Sequence, residues 1–116
     1  MKKSHIDTGE RGEDFAVSYL LEHNYTILSR NFRYKRSEID IIARKENLLV
    51  FVEVKTRRNY KFGFPEASVD SHKMEMIHMG AEAYMEEIKW RNDIRFDVIA
   101  ILYGNTPEIK HFKDAF

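Results

Sequence analysis

The chain has 116 residues, 43% of them hydrophobic and 33% charged, which suits one domain spanning 1–116 with its own core and no stapling disulfide or structural metal. It has no cysteine, which excludes a disulfide framework, a thiolate zinc site and a thiol nucleophile, and points to the reducing cytoplasm. Its 19 basic and 19 acidic residues cancel, so bulk charge does not explain an attraction to duplex DNA, and no apolar leader or membrane-length apolar run is present.

Asp7 followed by Glu10 resembles a capping box and predicts a helix over residues 8–23, with Phe15, Ala16, Tyr19 and Leu20 on one face and Asn24 as its stop. TILSRNF (26–32), EIDIIARK (38–45) and LLVFVEVK (48–55) read as three strands. RRNYKFGFPEA (57–67), with Gly63 and Pro65, reads as a loop. A second helix is expected over 70–88, where Met74, Ile77, Ala81, Tyr84, Met85 and Ile88 form an apolar stripe; its methionines read as core filler. IRFDVIAILY (94–103) is a fourth strand, and EIKHFKDAF adds a short edge strand after the turn at 104–107. This order predicts an α/β fold with helices packed on a mixed sheet.

Charge is unevenly spread. Between Arg30 and Lys61 there are ten basic residues, including Arg33, Arg36, Arg57 and Arg58, against four acids, Glu38, Asp40, Glu46 and Glu53. Such a window suits a polyanion, although a solvated basic face is the plainer reading. Only Glu46 and Asn47 separate the second and third strands, which predicts a hairpin. A symmetric turn sets Lys45 opposite Leu48, Ile42 opposite Phe51, Asp40 opposite Glu53 and Glu38 opposite Lys55, with all four charged side chains on one face. Opposed carboxylates repel, and a divalent cation with a taste for oxygen ligands, Mg²⁺ or Mn²⁺, relieves that repulsion. A lysine beside the cation would orient a bound water for attack on a phosphodiester. Two other readings stay open: a one-residue bulge would put Asp40 and Glu53 on opposite faces, and the acids would otherwise form ion pairs with Arg30 or Arg33.

The stretches GERGEDFAVSYLLEHNYTILSRNFRYKRSEIDIIA, VFVEVKTR, FGFPEASV and RFDVIAI, in this order, resemble the YraN family of small bacterial proteins over about residues 9–103. That family in turn resembles the PD-(D/E)XK nucleases, in particular the archaeal Holliday-junction resolvases. The resemblance implies a restriction-endonuclease-like fold, a mixed β-sheet flanked by helices, and a DNA endonuclease acting on branched or otherwise structured DNA. It matches Asp40, Glu53 and Lys55 to the catalytic signature and adds Glu13 to Asp40 and Glu53 as metal ligands. Glu38 matches the supporting acid of a Gly-Glu-Ile-Asp motif whose glycine is Ser37 here; Lys73 matches a helix lysine that would contact phosphate. The signature proline is absent, Ile39 standing before Asp40. With Lys73, the residues expected to touch nucleic acid are Arg33, Arg36, Arg57, Arg58 and Lys61. A homodimer is implied, because cutting two strands symmetrically calls for two sites.

Asp97 matches the acid of an Arg-Phe-Asp motif, but an ion pair with Arg95 or a strand-end hydrogen bond is the better reading. His5, His23, His72, His78 and His111 form no His-x-His or His-Glu-x-x-His pair and are expected on the surface or in helix packing. There is no nucleophile elbow or phosphate-binding glycine loop. Two alternatives to a nuclease remain: a non-catalytic nucleic-acid-binding protein that retains the fold, and a structural protein whose acids belong to an ion-pair network.

Overall fold

A computed structural model describes residues 5–57, 68–104 and 106–116, with residues 5–10 described by backbone alone. The elements are α1 (His5–Glu22), β1 (Thr26–Tyr34), β2 (Ser37–Lys45), β3 (Leu48–Arg57), α2 (Ser71–Ile88), β4 (Asp93–Leu102) and β5 (Glu108–Phe112). Every expected element is there. One detail differs: α1 starts at His5, so Asp7 lies inside the helix rather than capping it. Beyond Arg57, the expected loop as far as residue 67 falls outside the described residues.

Both helices end by the same device. Asn24 takes φ 71° and Lys89 φ 59°, the left-handed conformation that stops a helix. The Tyr25 amide reaches back to the Leu20 carbonyl and the Trp90 amide to that of Met85, each at 2.9 Å, while the intervening amides close the shorter bonds of a Schellman motif. Leu20 and Tyr25 then pack in the same core cluster, which ties the turn to burial. At its start, α2 is capped by Asp70, whose carboxylate accepts the Lys73 amide at 2.8 Å.

The five strands form one sheet in the order β1-β2-β3-β4-β5. Three neighbouring pairs are antiparallel; β3 and β4 are parallel, so the chain crosses between them through α2. Helices cover both faces, and alternation along β3 decides which side chain goes where. Val50 and Val52, with Ile41, Ala43, Ile99 and Ile101, pack on Ala16 and Leu20 of α1. Leu49 and Phe51, with Ile42 and Val98, pack on Ile77, Ala81 and Tyr84 of α2. The architecture is α/β and consistent with a restriction-endonuclease-like fold. Two residues assigned to apolar helix faces stay partly outside: Phe15 and Ile88 are each 39% exposed. Phe15 instead meets Tyr103 edge-on, with ring centroids 5.9 Å apart. Among the described residues, no helix is long and apolar enough to cross a membrane.

α2 comes close to β2 at Gly80, where a Cβ would lie 2.7 Å from Ser37 Oγ and 3.3 Å from Ile39 Cδ1. Helix propensity favours alanine there by about 1 kcal/mol, whereas overpacking a filled site costs about 1–3 kcal/mol. Gly80→Ala is therefore expected to lower stability in urea unfolding. Adding Ser37→Gly should restore much of the loss, since it removes the nearest obstacle. A stabilised Gly80→Ala single variant would show that the helix can shift away freely.

Candidate functional site

The β2–β3 ladder follows the expected register from Lys45↔Leu48 to Ile41↔Val52 and stops there. Asp40 and Glu53 come next but do not join the ladder, and Glu38 does not pair with Lys55; its cross-strand partner is Arg33 of β1. Alternation along β2 slips at this point. Ile41 and Ala43 face α1, yet Ile39, which strict alternation would also send to α1, packs in the α2 cluster. On the adjacent strand Asn31, which lies between the partners of Ile39 and Ile41, has φ 55°. The irregularity therefore runs across both strands at the level of Asp40.

It frees the Asp40 carboxylate to turn toward β3. There the Val54 amide, left without a ladder partner on β2, donates to Asp40 Oδ2 at 2.8 Å. Burial pushes the Asp40 pKa up and the Glu53 charge adds to it, against the Val54 hydrogen bond, so it reaches about 7. Glu53 is buried, 5% exposed, and its Oε2 is paired with the Lys73 ammonium at the start of α2. Burial lowers the Lys73 pKa, but its hydrogen bond to Glu53 and the charges of Glu53, Asp40 and Asp70 outweigh this, so Lys73 stays an ammonium.

These groups line a cleft of about 460 Å³ between the splayed ends of β2 and β3 and the first turns of α2. Arg36, Ser37, Glu38, Asp70 and His72 complete its polar wall. Ser37 is 3% exposed and its Oγ has no hydrogen-bond partner.

Of the residues expected at a site, the structure brings Asp40, Glu53, Glu38, Arg36 and Lys73 to this cleft. Glu13, on α1, is close enough to raise the Asp40 pKa, but its Oε1 accepts from Arg30 Nη2 and from Asn31 Nδ2, each at 3.1 Å. Lys55 does not line the cleft; its ammonium donates to the Ser68 carbonyl. Arg33 is exposed and pairs with Glu38 at 3.7 Å. Arg57 is exposed at the end of β3, while Arg58 and Lys61 lie outside the described residues.

Asp40 and Glu53 are carboxylates close enough for one charge to raise the other's pKa, and the Lys73 ammonium occupies the Glu53 end of the pair. Among the described residues, no group of three or more Asp, Glu, His or Cys side chains converges to hold a metal. Two carboxylates alone would suit only an ion that keeps most of its water, as Mg²⁺ does when held by one or two carboxylates.

A second buried acid lies apart from this cleft. Asp97, fully buried, accepts two hydrogen bonds from Arg95 at 2.8 Å each, one from His111 Nε2 at 2.7 Å and one from the Asp114 amide at 3.0 Å. Arg95 also donates to the Tyr25 hydroxyl, and Tyr19 Oη lies 3.1 Å from His111 Nδ1. The Arg95 ion pair is the one expected from sequence; the role of His111 is not, because no spacing links a lone histidine on β5 to an acid on β4.

The chain matches the model of a family described as "Uncharacterised protein family UPF0102" over residues 12–101. It is 48% identical to a UPF0102 protein of Geotalea daltonii over 118 aligned positions, covering 99% of this chain and 93% of that one. UPF0102 proteins of Bacteroides thetaiotaomicron (45% identity, 97% and 93% coverage) and Thermodesulfovibrio yellowstonii (44% identity, 96% and 96% coverage) are similarly close.

Proposed function

The chain belongs to the UPF0102 family, and we propose that it is a metal-dependent endonuclease hydrolysing phosphodiester bonds in DNA, with branched or structured DNA as its preferred substrate. The observation that carries this reading is the Asp40–Glu53 pair, held where the β2–β3 ladder ends and supported by the Val54 amide. A soluble, rigid strand pair does not need two such acids together; a cation-binding edge does.

A bound Mg²⁺ or Mn²⁺ would supply Lewis acidity and a water of lowered pKa. Asp40 and Glu53 would hold it, with Glu13 and Glu38 as further acids within reach. The Val54 amide fixes the Asp40 carboxylate so that little reorganisation is needed on loading. Arg36 and Lys73 place positive charge along the same wall for phosphate, with His72 as a further hydrogen-bonding group beside them, and the exposed Arg33 and Arg57 would add to the attraction. Lys55 shares the α2 side of β3 with Glu53, and orienting the attacking water requires it to leave the Ser68 carbonyl. That engagement of Lys55 favours the second reading, a binding protein that retains the fold without the chemistry.

Nicking of supercoiled and branched DNA in Mn²⁺ separates the two. The nuclease reading expects cleavage by the wild type, none by Glu53→Ala, and at least about a 100-fold loss in Lys55→Ala with Mn²⁺ binding largely kept, the size seen when one group stabilising a transition state is removed. Binding of DNA with unchanged affinity with and without Mn²⁺, and no cleavage, decides for the binding protein.

A further inference from the structure

Glu53 carries a buried charge that demands a partner, and the structure supplies Lys73. This is an odd place for a lysine. Lys73 lies in the first turn of α2, a turn with no acidic residue and the end where the helix dipole disfavours cations. Its backbone amide is occupied by Asp70, yet its side chain remains 51% exposed. The ammonium is thus held in the cleft by the acids it faces, Glu53 foremost, with Asp40 and the N-cap Asp70 adding to the attraction. Arg36 and His72 line the same wall, within reach of a lysine that swings outward.

We propose that Lys73 is a resident counter-ion of the cleft, seated on Glu53 until a divalent cation is loaded, whereupon it turns outward to join Arg36 and His72 in holding an anionic substrate. The proposal rests on the metal-binding reading of Asp40 and Glu53 and adds an order of events to it. A doubly charged ion outcompetes one ammonium for two carboxylates. Release of Lys73 from Glu53 then leaves its cation beside the loaded site with the N-cap Asp70 as the one remaining acid of those that held it. Metal loading and grip on a phosphodiester are coupled through a single side chain, and a cleft without metal holds nucleic acid more weakly.

Lysine acylation footprinting of the full chain, read by mass spectrometry with and without Mn²⁺, tests the movement directly. Labelling of Lys73 is expected to rise severalfold with Mn²⁺ while exposed Lys89, at the opposite end of α2, stays constant. In Mn²⁺ titrations followed by electron paramagnetic resonance, Lys73→Met should bind the ion severalfold more tightly than the wild type, because a competitor is gone. The same variant should hold a fluorescent phosphorothioate DNA oligonucleotide more weakly in Mn²⁺. Mn²⁺ binding with unchanged Lys73 labelling, equal or weaker Mn²⁺ affinity in Lys73→Met, or equal oligonucleotide affinity overturns the displacement and leaves the Asp40–Glu53 reading intact. Absence of Mn²⁺ binding in both proteins overturns both. If Lys73→Met does not fold, labelling of the native chain decides.

Discussion

Asp40→Asn is expected to make the metal-free protein more stable at neutral pH and, at the same time, to weaken Mn²⁺ binding by more than ~100-fold, beyond the effect of losing an outer-shell partner. The two outcomes share one cause. Folding raises the Asp40 pKa from the ordinary carboxylate range to about 7, chiefly by burial and then by the Glu53 charge. Between these values the folded chain keeps a proton that the unfolded chain has lost, so stability falls as pH rises through the window and the penalty is complete above about 7. At about 1.4 kcal/mol per pH unit, the total is on the order of a few kcal/mol. Asparagine has the same shape, still accepts from the Val54 amide and cannot ionise. Thermal melts in chelator from pH 5 to 8 should show a falling Tm for the wild type and a flatter, higher one for the variant. Parallel pH profiles would mean that Asp40 ionises without penalty. An acid that costs stability is what the proposed cation site calls for, since stability alone would favour the amide.

Asp97→Ala should be the most destabilising single change outside the apolar core. It strands the Arg95 guanidinium and His111, removes the acceptor of the Asp114 amide, and loosens the chain end that Ala115 ties to the Phe96 carbonyl at 2.7 Å. Removing one partner of a buried charged pair costs about 3–5 kcal/mol, and equilibrium urea unfolding should show a loss of that size. Burial alone would raise the Asp97 pKa, but the hydrogen bonds from His111, Arg95 and the Asp114 amide, with the Arg95 charge, hold it below the ordinary range. Its contribution is therefore present above the ordinary Asp range and lost as pH falls through the depressed value, opposite in sign to that of Asp40. In acid titration the wild type should unfold at lower pH than Asp97→Asn loses its remaining stability. A variant within about 0.5 kcal/mol of wild type, the range of ordinary surface substitutions, would refute this role.

The sheet was readable because its signals are local. EIDIIARK and LLVFVEVK alternate, and the two residues between them fix the register, which holds for five pairs from Lys45↔Leu48 to Ile41↔Val52. The same reasoning failed one step further, at Asp40↔Glu53. It extended a regular pleat past the point where Asn31 turns left-handed on the neighbouring strand, and nothing in β2 itself announces that. The two acids still line one cleft, but outside the ladder rather than across it. The partners of the two lysines were beyond reach for a different reason. Whether Lys55 or Lys73 faces Glu53 depends on where α2 starts relative to the sheet, and that is set by packing of Ile77, Gly80 and Ala81, distant in sequence from both. Likewise the Asp97–His111 contact needs β5 laid beside β4, with Ile99 opposite His111, before either residue has any reason to be noticed.

The interruptions in β1 have a consequence for how the molecule behaves among its own copies. β1 is one rim of the sheet, and an uninterrupted rim is a template on which a strand from another molecule can grow. Here the register shifts between Ile27 and Ser29, and Asn31 takes positive φ, so the rim offers no long flat row of amides and carbonyls. The opposite rim, β5, spans only five residues. The irregularity beside the cleft thus also guards the sheet against edge-to-edge aggregation.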